Sequence, residues 1–259
     1  MKKVVKILLA LSLSTILAGC SIKFGVESRK SSNYSGKSIN QIESIEGINN
    51  LNINIDVSNV DIRYYEGKDI EISGVLGNLS KGVTVDRNSS ELDINERANR
   101  SVSIKKDTTS NLKINIPNSY NGNIKLTLGV GEYKVNDVKA DNMKVETGVG
   151  KLSMSNISFN RLDLESGVGE VDIDTKEKTG EIIIDAGVGD INIKLGNING
   201  NLKFDGGMGS TRISIPPDAP VNIKTSSGLG ESKVTAKTSG ENKYTFDVSM
   251  GIGELNITN

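Results

Sequence analysis

The sequence predicts an all-β protein built as a parallel β-solenoid, a β-helix-like stack of about 19–23 residues per coil. Three observations carry this. A Gly-x-Gly triplet with an apolar middle residue recurs seven times, at Gly129-Val130-Gly131, Gly148-Val149-Gly150, Gly167-Val168-Gly169, Gly187-Val188-Gly189, Gly207-Met208-Gly209, Gly228-Leu229-Gly230 and Gly251-Ile252-Gly253. Successive first glycines are 19, 19, 20, 20, 21 and 23 residues apart, and units this short bury an apolar face only by stacking on their neighbours. Around each triplet the apolar residues alternate with period two and then change parity: Leu162 and Leu164 precede one triplet, Val171 and Ile173 follow it. That is the signature of strands with one buried face, joined by a corner.

Glycine suits such a corner because it reaches positive φ and lets the next coil's backbone approach at strand spacing, about 4.8 Å. On this reading the middle residues Val130, Val149, Val168, Val188, Met208, Leu229 and Ile252 point inward as one apolar column. Glu132, Lys151, Glu170, Asp190, Ser210, Glu231 and Glu254, which follow the triplets, stack outside as a mostly acidic one.

The N-terminus carries Lys2, Lys3 and Lys6, then an apolar run through Leu17, too short to span a bilayer comfortably and shaped as a secretory leader. It ends in Leu17-Ala18-Gly19-Cys20, which resembles the lipobox of bacterial lipoproteins. The resemblance implies cleavage after residues 1–19, acylation (palmitate-type) of Cys20, and an extracytoplasmic protein lipid-anchored to the bacterial cell membrane. Cys20 is the single cysteine, so no disulfide forms and stability rests on packing. Residues 20–46 read as the acylated cysteine and a flexible tether rich in Ser, Asn, Lys and Gly, spanning roughly 25–30 Å.

Residues 47–259 read as the β-repeat domain. Its first part, 47–116, is less regular: Leu51, Ile53 and Ile55 alternate, then Val60 and Ile62 after Ser58-Asn59, which is a corner written without glycine. Further strands are expected at 70–75, 82–86, 92–95, 102–105 and 112–116, and this half is expected to cap the stack. Over 117–259 the Gly-x-Gly coils are regular, and Pro117 and Pro216-Pro217 end strands rather than sit within them. The added residues of the longer coils fall in the second turn, as at 176–180 and 237–242.

The alternation around Ser58-Asn59-Val60, the Ile114-Asn115-Ile116-Pro117 step and the recurrent glycine corner resemble the bacterial β-repeat surface proteins labelled "putative adhesins", also called toast-rack domains. The resemblance spans about residues 48–259. It implies a lipid-anchored repeat protein with no assigned catalytic residue. Most corners here read Gly-x-Gly-Glu where that family usually has Gly-Asp.

Chemistry is sparse. Histidine and tryptophan are absent and aromatic residues make up 4%, which removes the commonest general base and zinc ligand. Net charge is −1, falling to 28 basic against 32 acidic residues once the leader is removed, with no basic stripe for nucleic acid. Gly148-Val149-Gly150-Lys151 has the look of a phosphate loop, but the same corner recurs without the lysine. Glu170 beside Asp190 offers hard oxygens to calcium, with a solvated acidic face as the simpler reading. Tyr64-Tyr65, the adjacent aromatic pair, reads as strand or corner.

No metal, cofactor or catalytic residue is expected. The sequence reads as a non-enzymatic cell-surface lipoprotein, an adhesin or envelope-binding β-rod of about 50 Å. It would meet the membrane through Cys20 and a cell-wall polymer or membrane protein through its ladders. One alternative is an envelope-stress sensor that binds a membrane partner by strand addition at a coil edge near Asn256. The enzymatic alternative is a polysaccharide-acting β-helix enzyme.

Overall fold

Alternating Ile, Leu and Val segments, each flanked by Asn, Gly or charged residues, fold into twelve strands among the described residues. The computed structural model describes residues 36–99, 101 and 109–259. The strands are β1 (Lys37–Ser44), β2 (Asn50–Ile55), β3 (Ser58–Tyr65), β4 (Asp69–Leu76), β5 (Ser80–Asn88), β6 (Glu91–Ala98), β7 (Ser110–Pro117), β8 (Asn123–Asn136), β9 (Lys139–Leu195), β10 (Leu202–Ser214), β11 (Val221–Val234) and β12 (Tyr244–Thr258). All belong to the compact unit Gly36–Asn259, which also holds the whole described core. The leader, Cys20 and the strand expected at 102–105 lie outside the described residues.

From β8 onward the chain winds as a parallel solenoid. Val130 pairs with Val149, Met208 with Val188, and equivalent residues stay in register through Ser214 and Lys194. Each coil has two main walls meeting at the glycine corner. The first wall buries Val145, Leu162, Leu164, Ile182, Ile184 and Phe204; the second buries Val135, Leu152, Met154, Val171, Ile173 and Ile191. A third side adds Val138, Ile157 and Phe159. Its turn is made by residues at positive φ, Asp137 (60°) and Asn156 (53°), whose short polar side chains tolerate the left-handed region.

The N-terminal half closes the stack. β2 pairs in parallel with β8 and β6, and β3 with β7 and β8. Beyond them the pairing becomes antiparallel, β1 on β4, β4 on β7 and β5 on β6. The sheet therefore begins at Lys37, inside the stretch read as tether. β1 is polar, and its Ile42 lies 61% exposed at an edge, so the hydrophobic pattern there is faint.

The coils do not stack in chain order at the far end. β12 lies between β10 and β11, so Met208 pairs with Ile252, and Ile252 with Leu229. Asn256, expected near an open edge, instead pairs with Arg212 on one side and Lys233 on the other. The free edge at this end, among the described residues, belongs to β11.

Candidate functional site

The corner explains both its glycines and its exposed surface. At Gly150, Gly169 and Gly189 φ is +143°, +148° and +146°, and an added Cβ would lie 1.9, 1.8 and 1.6 Å from the carbonyl oxygen of the equivalent glycine one coil earlier. Backbone thus sits where a side chain would project. The first coil shows the converse. Asp56, Val57 and Ser58 occupy the places of Gly129, Val130 and Gly131, whose built Cβ atoms meet the carbonyls of Asp56 and Ser58. Beneath that coil the described residues of β6 and β7 form no Gly-x-Gly corner, so Cβ atoms are accommodated.

The backbone of this first corner is capped by Glu96, fully buried, which accepts hydrogen bonds from the amides of Asp56 (3.0 Å) and Val57 (2.9 Å). A glutamate from β6 thereby caps the corner from the β6–β7 side. Sequence reasoning had no signal for it beyond a charged residue following an apolar alternation.

The middle residues of the corners do not point inward. Val130, Val149, Val168, Met208 and Ile252 are 44–52% exposed, Leu229 is 70% exposed, and Val188 and Val57 are half-buried. The inward column expected from the alternation is therefore an outward one. The parity change is spread over four residues, from the half-buried Ser166 to the buried Val171, so the apex residue of the bend faces solvent rather than core. In stacking order Val57, Val130, Val149, Val168, Val188, Met208, Ile252 and Leu229 form one apolar ridge along the solenoid. A continuous stripe of half-exposed aliphatic side chains is the kind of surface that marks an interaction site.

Carboxylates flank the ridge. On the second wall the outward column holds Glu132, Lys151, Glu170, Asp190, Ser210, Glu254 and Glu231. Here Lys151 pairs with Glu170 at 2.8 Å and with Asp172 at 3.0 Å. On the first wall Glu146, Glu165, Asp185 and Asp205 stand just before the corner. Glu146 is held by Lys144 at 2.8 Å and its carboxyl lies below the usual range through that hydrogen bond. Like charges also meet directly, Asp185 against Asp205 and Glu231 against Glu254. Among the described residues no cluster of three or more metal-ligating side chains occurs.

Elsewhere the second wall bears an open depression of about 410 Å³, lined in part by Ser153, Asp172, Asp174, Asn192, Lys194 and Arg212. Burial pulls the Asp172 carboxyl upward, but hydrogen bonds from Asn192 and Lys151 outweigh it, so Asp172 stays ionised and is no proton donor near neutral pH. Lys151 of the phosphate-loop look-alike is engaged in these pairs. Tyr64 reaches the carbonyls of Tyr120 (2.7 Å) and Lys139, and the Tyr65 hydroxyl donates to the Asp69 carbonyl (2.5 Å), so both serve the strand ends.

A family model described as Toastrack DUF4097 matches residues 48–187 and again 83–257. A search of curated proteins gives no match. Among solved structures, the chain is similar to one described as a putative cell adhesion protein from Clostridium sporogenes, at 19% identity, 86% coverage of this chain, 99% of that one and a TM-score of 0.47. It is also similar to one described as a putative adhesin from Bacteroides fragilis, at 12% identity, 85% and 97% coverage and a TM-score of 0.41. Another, described as a putative lipid binding protein from Parabacteroides distasonis, is 12% identical over 86% of this chain and 97% of that one, with a TM-score of 0.35.

Proposed function

The chain belongs to the Toastrack DUF4097 family, and from that premise we propose that it is a non-enzymatic binding protein of the bacterial cell surface, anchored through acylated Cys20, whose β-rod engages an envelope component along the apolar ridge. The ridge carries this reading. Exposed aliphatic side chains repeat once per coil along the stack, although folding needs only glycines beside them. A corner serving architecture alone gains nothing from leaving Val, Met, Ile and Leu in water.

The test uses the polypeptide Gly36–Asn259, which contains every described strand and the core. It should be retained by an envelope fraction, and the triple variant Val149→Ser, Val168→Ser, Val188→Ser should lose retention while keeping its circular dichroism. Equal retention of both, or none by the wild type, refutes the reading. Anchorage is checked separately: Cys20→Ser should move the full chain from the membrane to the soluble fraction.

A second reading, a stress-sensing domain that recruits a membrane protein by strand addition, draws on β11. Its outer edge has no strand partner among the described residues, and Thr225, Ser227, Ser232 and Val234, which lie in register with buried residues of β12, are exposed. Such an edge templates an incoming strand. A cysteine at Lys233 should then cross-link to a stoichiometric membrane-protein partner; diffuse capture on wall material favours the first reading.

A further inference from the structure

The ridge and its flanks together define the chemistry of a partner. We propose that the ridge is a docking surface for a basic amphipathic helix, an inference that rests on the binding role proposed above and names the partner class.

Spacing selects a helix. The ridge residues repeat at strand spacing, about 4.8 Å, and eight of them run roughly 34 Å. A helix presents its apolar stripe once per turn, about every 5.4 Å, so it drifts about 0.6 Å per coil and stays within half a ridge interval for about four turns, while some 20 residues cover most of the ridge. An extended peptide presents same-face side chains only every 6.6–6.8 Å or so and falls out of step within three coils.

Charge selects a basic one. Glu165, Asp185 and Asp205 border the ridge on one side and Glu170, Asp190 and Glu254 on the other. Asp185, Asp190 and Glu254 have no cation within ion-pair distance among the described residues. Asp185 also faces Asp205 across the sheet at strand spacing; Lys203 holds Asp205 at 3.0 Å, which leaves Asp185 the carboxylate open to an incoming lysine or arginine. Lysines on both shoulders of a helix, with stems lying along the apolar stripe, reach both acidic columns at once. The same columns repel an anionic lipid surface, so the ridge is not read as a membrane-insertion edge.

The probe is a synthetic 20-residue Leu/Lys peptide with one apolar stripe, titrated by fluorescence anisotropy into the polypeptide Gly36–Asn259. The control is an isomer of identical composition whose leucines are spread around the helix. The striped peptide should bind at least about tenfold more tightly than its isomer, with affinity falling as salt rises. Val168→Ser/Val188→Ser and, independently, Asp185→Lys/Asp190→Lys should each weaken it by about tenfold or more. Equal binding of the two isomers, or unchanged affinity in either double variant, overturns the proposal. So does stronger capture of phosphatidylglycerol vesicles than of the peptide. If the triple ridge variant abolishes envelope retention while the striped peptide binds no better than its isomer, the helix assignment fails and the binding role stands.

Discussion

Replacing Gly169 with alanine, and separately Val168 with aspartate, tests the corner from both sides. At Gly169 the backbone has φ +148° and the new Cβ would sit 1.8 Å from the carbonyl oxygen of Gly150. An L-residue held in that region costs about 1–3 kcal/mol. Forcing two stacked coils apart adds about 1–3 kcal/mol more. The expected loss is therefore about 2–6 kcal/mol, a drop of roughly 0.8–2.4 M in urea midpoint for an m-value near 2.5 kcal/mol/M. Val168, one residue earlier, is 46% exposed, and its replacement by aspartate should cost less than about 1 kcal/mol despite the neighbouring carboxylates. Ser58, in the place of a corner glycine in the first coil, already bears a Cβ, so Ser58→Ala should stay within about 1 kcal/mol of wild type. Urea unfolding followed by circular dichroism and hydrogen exchange reads all three, the second probe checking that the stack still unfolds as one unit. Comparable losses for Gly169→Ala and Val168→Asp would refute the outward assignment of the ridge, and a loss below about 1 kcal/mol for Gly169→Ala would refute the close-approach account.

Three further outcomes are expected. Glu96→Ala leaves the Val57 amide without its acceptor and the Asp56 amide with only the backbone carbonyl of residue 96 (3.2 Å), and should cost about 1–3 kcal/mol, with protection from hydrogen exchange lost first in β2 and β3; uniform loss across the stack would refute a local cap. Hydrogen bonds hold Glu146 and Asp172 below their ordinary values of 4.5 and 3.8, so their stabilising contribution is present above those values and fades as pH falls through the lower folded ones. Glu146→Gln/Asp172→Asn should accordingly flatten the acid limb of the stability curve, and curves that superimpose would refute it. Tyr64→Phe removes the hydroxyl that reaches the Tyr120 and Lys139 carbonyls and should cost about 1 kcal/mol, measured by the same urea titration, with no loss refuting the tie.

The repeat, its period and the in-register parallel stacking were legible because glycine is demanded wherever one coil's backbone crosses another's, and that demand recurs at each winding. The direction of the apex residue was not. Period-two alternation assigns sides along a straight strand, and between Ser166 and Val171 the chain is bending, so counting by twos across the triplet places Val168 on the wrong side. The strand β1 was missed for a related reason. An edge strand needs little apolar surface, and its pairing with β4 is backbone to backbone.

Coil order carries a signal of a different kind. Near-identical corners fit one another in any sequence, so the glycines do not distinguish β10-β11-β12 from the observed β10-β12-β11. What distinguishes them is the inward face. β12 brings Phe246, Val248, Met250, Leu255 and Ile257, all buried between neighbours, whereas β11 brings the smaller Ile223, Thr225, Ser227, Ser232 and Val234 to the corresponding places, three of them hydroxyl residues. A strand with small hydroxyl side chains loses little when its inner face meets water, and one carrying Phe and Met loses several kcal/mol. The end of the stack is thus closed by polarity: the last strand in the chain threads inward, and the more polar strand before it takes the solvent edge.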